Sequence, residues 1–170
     1  MEAMNNLLER RSIRRYKDTQ VPEELLDQVL KAGLFAPTGM NRQNVIMVAI
    51  QDKETRDQLM RMNAAVMGTQ NDPFYGAPCV IVVLGDAESY PAVENGSLVL
   101  GNLMNAAHAV GLGSCWIHRA KQMFETEEGK ELLRSWGLKD TLVGVGNCIL
   151  GYADEEPDAK PRLDGRIVKV

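Results

Sequence analysis

Five cations fall within eight residues of the run Arg10-Arg11-Ser12-Ile13-Arg14-Arg15-Tyr16-Lys17, in a chain whose net charge is −4. Guanidinium groups hold phosphate through paired, charge-assisted hydrogen bonds, and the Ser12 hydroxyl adds a further donor. A solvated basic face near the negative end of a short helix would carry the same residues. A second polar concentration is Ala36-Pro37-Thr38-Gly39-Met40-Asn41-Arg42-Gln43. Pro and Gly mark it as a loop, and Thr38, Asn41 and Gln43 offer donors and acceptors suited to the edge of a heterocycle. Alone it is equally a plain connection between helix and strand. In Gly111-Leu112-Gly113-Ser114-Cys115-Trp116-Ile117-His118 two glycines permit close backbone approach and Trp116 offers an aromatic surface. A helix stop would also explain Gly111. Lys160-Pro161-Arg162 adds two cations in a proline-bearing tail.

Other chemistries find little support. Cys79, Cys115 and Cys148 are odd in number and not closely spaced, and His108 and His118 are the two histidines. Zinc sites and disulfide frameworks need ligand pairs or even counts, so buried free thiols are expected. No Ser-His-Asp or Cys-His constellation is recognisable. The overall negative charge argues against a nucleic-acid partner. No apolar run approaches the ~18 residues of a membrane span, and the N-terminal residues lack the pattern of a signal peptide. A cytoplasmic protein is expected.

The elements that must position these residues follow from periodicity. Met4, Leu7 and Leu8 fall at helical spacing from Met4 to Glu9. A second helix is predicted to open at Pro22, with Glu23 and Glu24 at its positive end and Leu25, Leu26, Val29 and Leu30 as its buried stripe. Pro37 should end it. Residues 45–50, 79–84, 114–117 and 142–150 read as strands, and 79–84, apolar on both faces, should be central. Further helices are predicted over 53–67, 92–110 and 126–136, the last capped by Thr126. The 92–110 helix, with few polar residues, should be largely buried, Leu98, Leu100, Leu103, Ala106, Ala107 and Val110 facing inward. Alternating strands and helices suggest three layers, but periodicity does not separate a parallel sheet from a mixed one. The turns after the first two strands, Gln51-Asp52-Lys53-Glu54 and Gly85-Asp86-Ala87-Glu88, are acidic rather than Gly-rich, which disfavours a Rossmann-like phosphate site.

Taken together and in order, the four polar segments resemble the nitroreductase family of FMN-dependent NAD(P)H oxidoreductases. Arg10-Arg11-Ser12-Ile13-Arg14 looks like its phosphate-binding start, and the 36–43 segment like its A-P-S-x-x-N-x-Q loop. Gly111 to Ile117 reads as its G-L-G-S-C-W-I signature, and Gly151-Tyr152 with Lys160-Pro161-Arg162 as its closing pattern. The resemblance runs from Leu8 to about Val168. It implies a single α+β domain over residues 1–170, three-layered, with a mixed, mainly antiparallel sheet flanked by helices. It further implies an intertwined homodimer with FMN between subunits. Arg10, Arg11, Ser12 and Arg14 would hold the phosphate and ribityl end, joined by Lys160 and Arg162. Pro37, Thr38, Gly39, Asn41 and Gln43 would come from the partner subunit to line the flavin, and Trp116, Ile117 and His118 would lie along the isoalloxazine. Phe74 and Tyr75 could wall the pocket above it, or simply pack in the core; Asn63 and Asn71 are weaker candidates for flavin contact.

The implied activity passes electrons from NADH or NADPH through FMN to nitroaromatics, quinones or similar flat acceptors by a ping-pong route. Flavin carries the hydride itself, so no acid–base pair is required. The sequence departs from the family where Asn44 and Val45 replace a proline and a large aromatic, and where His118 replaces a frequent glycine. The chain is short for the family, which implies an open, shallow site. Two other readings remain: a flavin-binding protein without turnover, acting as a redox sensor or flavin store, and a nucleic-acid or phospholipid binder using residues 10–17.

Overall fold

The strand Cys79–Asp86 (β2) alternates its side chains between two cores. Cys79, Ile81 and Val83 enter one, Val80, Val82 and Leu84 the other, and all six are fully buried. A strand of β-branched residues buried on both faces must lie inside a sheet covered on both sides. In the computed structural model, which describes residues 2–170, it does. β2 is flanked by β1 (Val45–Ile50) and β4 (Leu142–Gly151), and β4 pairs in turn with β3 (Gly113–Ile117). The order is β1-β2-β4-β3, with every neighbouring pair antiparallel.

Helices complete the outer layers. On one face lie α2 (Glu23–Leu34) and α4 (Ala92–Ala109), contributing Leu26, Val29, Val99, Leu100, Leu103 and Ala107. On the other lie α3 (Lys53–Met67), α5 (Ala120–Glu125) and α6 (Glu127–Ser135), contributing Leu59, Met62, Met123, Phe124 and Leu133. α1 (Ala3–Glu9) sits outside this sandwich, and its apolar Met4, Leu7 and Leu8 are exposed. Beyond it, residues 10–17 run along the sheet edge, bridging parallel to β3 through Ser12 and Ser114 and antiparallel to the end of β4 through Tyr16 and Ala153. The four-stranded sheet itself is wholly antiparallel rather than mixed, the one parallel contact being this isolated bridge at its edge. The α+β fold expected from the resemblance is the one observed.

Details differ from the periodicity reading for identifiable reasons. Pro22 is the N-cap of α2 rather than its first residue, and the helix stops at Leu34, before Pro37 can force it to. α4 is not buried all round: Leu98 is 48 % exposed, while Ala106 and Val110 are half-buried. The sheet covers only one side of α4, so an apolar sequence leaves an apolar face outside. α5 is six residues long with no full apolar period, which is why its spacing gives no signal. Thr126 caps α6 as expected, its hydroxyl accepting from the Gly129 amide at 3.0 Å. All three cysteines are buried and unbridged. Burial pushes the Cys79 thiol up to about 12 and raises Cys148 as well.

At the start of α3 the Asp52 carboxylate accepts from the Thr55 amide at 2.8 Å and the Thr55 hydroxyl at 2.7 Å. The Thr55 amide, first among these partners, holds the carboxyl below its ordinary value of 3.8. A depressed folded value means the cap stabilises fully above the unfolded carboxylate range and fades as pH falls through the folded value. The stability difference between wild type and Asp52→Ala should therefore shrink on acidification from about pH 6 to about pH 3. Urea midpoints measured across that range test it, and a pH-independent difference would rule the carboxylate cap out.

Candidate functional site

The segment between α1 and α2 is held to β3 by one inward side chain. Ile13 is buried over Gly113, where an added Cβ would stand 2.8 Å from Ile13 Cγ1. The Ile13 amide donates to the Ser114 carbonyl at 3.0 Å, and the Tyr16 hydroxyl, raised well above its usual value by burial, donates to the Ile13 carbonyl at 2.7 Å. The basic cluster is thereby laid against the Gly111–His118 signature.

Two cavities open along this seam. The first, about 810 Å³, is lined by Arg10, Arg11, Ile13, His108 and Gly111–Ser114, with Glu9, Glu155, Glu156 and Asp158 also on its wall. Three buried polar atoms here have no protein partner: Arg10 Nη1, His108 Nε2 and Ser114 Oγ. Unpaired buried donors are costly and call for a ligand or water. Arg11 is differently engaged, its Nη1 donating to the Leu8 and Arg10 carbonyls at 2.7 and 2.9 Å and closing the end of α1. The second cavity, about 350 Å³, is lined by Arg14, Asn71, Tyr75, Cys115–Ile117, His118 and Arg119, together with Met67, Thr69, Asp72 and Pro73. Its aromatic and peptide surfaces suit a flat ring, and Arg14 and Arg119 bring positive charge. β3 supplies wall to both cavities, Gly113 and Ser114 to the first and Cys115 to Ile117 to the second.

The structure separates other expected site residues from this seam. Phe74 is fully buried in the core with the Arg56 guanidinium 5.8 Å from its ring centre, so Tyr75 alone of that pair faces the cavity. Trp116 lines the second cavity but reaches inward: a Cβ on Gly146 would meet its Nε1 at 2.4 Å. The loop with Pro37, Thr38, Gly39, Asn41 and Gln43 packs at the start of α4, where the Gly39 amide donates to Asn95 Oδ1 at 2.9 Å. It is internally braced, the Gln43 amide donating to Thr38 Oγ1 at 3.0 Å and Gln43 Nε2 to Asn41 Oδ1 at 3.2 Å. This loop lines neither cavity of its own chain. Lys160 and Arg162 are exposed in the tail, beyond both cavity walls.

A polar hub below the second cavity fixes its walls. Asp72 accepts from Arg56 Nη2 at 2.7 Å, from the Phe74 amide at 2.7 Å and from the Gly76 amide at 2.8 Å, which shapes the 72–76 turn. Fully buried Asn63 donates to the His118 carbonyl at 2.8 Å and accepts from Arg119 Nε at 3.0 Å. Asn63 thus supports the cavity from beneath rather than lining it, whereas Asn71 is on the wall. Sequence reasoning missed His108, Ser114 and Arg119 as cavity residues. A signal for Asn63 was present: an amide on the buried stripe of α3, four and three residues from Leu59 and Met60, needs polar partners.

Comparison with known proteins places this architecture. Residues 7–71 and 63–152 match the Nitroreductase family. The chain belongs to the nitroreductase family. A relative from Archaeoglobus fulgidus, provisionally named NADH dehydrogenase/NAD(P)H nitroreductase, is 30 % identical over 161 residues, covering 92 % of this chain and 88 % of its own. The solved structure of an FMN-dependent nitroreductase from Clostridium difficile superposes with a TM-score of 0.81 at 29 % identity, covering 98 % of each chain. A nitroreductase with bound FMN from Bacteroides fragilis shares the fold at a TM-score of 0.91 and 24 % identity, covering 100 % of this chain and 99 % of its own. The family match stops at residue 152, so Lys160 and Arg162 lie outside it.

The Trp116–Gly146 contact joins the second cavity to the core. Gly146→Ala should displace the indole and cost about 1–3 kcal/mol by overpacking. A lowered denaturant midpoint together with altered Trp emission would bear this out, and a neutral substitution would show that the contact is loose.

Proposed function

We propose that the chain is an FMN-dependent oxidoreductase passing electrons from NADH or NADPH to nitroaromatic, quinone or similarly flat electrophilic acceptors. The observation that carries this reading is the pair of cavities sharing β3, one with orphaned buried polar atoms and the other lined by Tyr75, Trp116 and the β3 backbone. That pairing fits the shape of FMN, a phosphate at one end and a tricyclic ring at the other. Arg10, Ser12 and Arg14, with Lys160 and Arg162 brought over by the tail, hold the phosphate and ribityl end. Trp116, Ile117 and His118 lie along the ring, and Tyr75 stands over it. Arg11, engaged with its own helix end, sets the direction of the segment and lends its charge. The relatives named for FMN and NAD(P)H support the cofactor and donor.

A homodimer completes the site. Met4, Leu7 and Leu8 on α1 and Val93 and Leu98 on α4 leave apolar surface that a second copy would cover. The braced 36–43 loop lines nothing in its own subunit; across the interface Pro37, Thr38, Gly39, Asn41 and Gln43 reach the partner's flavin. One domain spanning residues 1–170 then supplies both sets of residues, one to its own site and the 36–43 loop to its partner's.

FMN held by these residues would supply hydride and electron transfer between a nicotinamide donor and the acceptor. The chain's own residues bind, orient and shield. Arg10 and Ser114 would anchor the cofactor's phosphate end, and the buried β3 backbone would keep water out of the site. Asn63 and Asp72 hold the cavity walls in place, and a single shared cavity would have donor and acceptor bind in turn, as ping-pong turnover requires.

The visible spectrum of the purified protein, with FMN added, tests the reading. Flavin bands that bleach anaerobically with NADH or NADPH and return with a nitroaromatic or quinone are the expected result. Bands that bleach but do not return with any such acceptor would favour a flavin store or sensor. A protein that takes up no FMN would overturn the assignment.

A further inference from the structure

Arg119 has no part in the function proposed above, yet its conformation is tightly specified. It lies two residues beyond the end of β3, at the N-cap of α5, and adopts φ +76°, a left-handed backbone that side-chain-bearing residues avoid. Asn63, fully buried on α3, holds it there from two sides: Nδ2 donates to the preceding carbonyl of His118, and Oδ1 accepts from Arg119 Nε. One amide therefore fixes both the turn and the direction of the guanidinium. Only Nε is engaged; among the described residues Nη1 and Nη2 have no hydrogen-bond partner and no carboxylate lies within ion-pair distance.

The charge in the second cavity is correspondingly unbalanced. Asp72, the acid on its wall, is bound to Arg56 and two backbone amides, so its charge is already answered. Among the described residues the Arg14 and Arg119 guanidinium groups have no ion-pair partner, although the Arg14 backbone amide donates to the Glu155 carboxylate. The reading above gives Arg14 to the flavin. Arg119 is then a surplus, half-buried cation with its fork preset, at the place where a ring-shaped acceptor would lie. A preset guanidinium binds carboxylate with little further ordering and draws anions toward a concave site.

We propose that Arg119 is a specificity-determining residue that favours flat acceptors bearing a carboxylate, with Asn63 as its positioning residue; this rests on the flavin-dependent function proposed above. Two readouts on the FMN-loaded protein test it. The first is the dissociation constant of benzoate, read from its perturbation of the oxidised flavin bands. The second is the ratio of kcat/KM for 4-nitrobenzoate over nitrobenzene. Arg119→Gln should weaken benzoate and lower the ratio, each by about tenfold. Arg119→Lys should retain part of both, and Asn63→Ala should shift both in the same direction as Arg119→Gln. An Arg119→Gln protein that holds FMN normally and keeps both values overturns the inference while leaving the flavin reading intact. Loss of FMN in Arg119→Gln, with retention in Arg119→Lys, would put Arg119 on the cofactor and overturn it as well. A wild-type protein that binds no FMN overturns the parent reading and this inference with it.

Discussion

The site depends on the close approach of Ile13 to Gly113. With no side chain at Gly113, the segment carrying Arg10 to Arg14 can lie directly on the sheet edge, its Ile13 amide bonded to the Ser114 carbonyl. Any larger residue there would meet Ile13 at once and lift the segment away. Both cavities follow from this seam, because each takes one wall from residues 10–14 and another from β3. A single apolar contact thus sets the separation between the cations and the signature strand, and the charged groups themselves do not have to find each other.

Buried polar groups then stiffen the walls that hydrophobic packing cannot direct. Asp72 organises the turn carrying Tyr75, and Asn63 organises the turn carrying Arg119. Arg56 is itself almost fully buried, donating to the Ala77 carbonyl and pairing with Asp57 and Asp72. Such an arrangement is weak as a source of net stability but severe when one partner is lost, since the remainder is left charged and dry. Its value lies in direction: apolar contacts tolerate small rotations, whereas a bonded amide or guanidinium does not.

The legibility of the sequence varied with the range of the interaction that decides each feature. β2 could be placed at the centre because burial on both faces writes itself into six consecutive apolar residues. The segments around Arg10, Thr38 and Trp116 could be read because each keeps its chemistry within a few positions. Strand direction could not be derived from periodicity, since alternation is the same in either sense, and only the family likeness supplied it. Phe74 and Tyr75, adjacent in sequence, go to the core and the cavity respectively; nothing local separates them until Asp72 fixes the turn. Leu98 sits outside although its residue type says inside, because the sheet reaches only one face of α4. The role of Arg119 is set by a residue 56 positions away and has no local mark.

The placement of the cysteines bears on how a protein with the proposed activity would withstand its own products. Quinones and the reduction products of nitro compounds are electrophiles that add to thiolates. Burial pushes the Cys79 thiol up to about 12, so at neutral pH it stays protonated. Cys148 is held up in the same way, and Cys115, though on a cavity wall, is almost wholly covered. A catalyst built on this chain would release reactive compounds into solution while presenting no ready nucleophilic sulfur to them, so the burial that stabilises the sheet also resists self-alkylation.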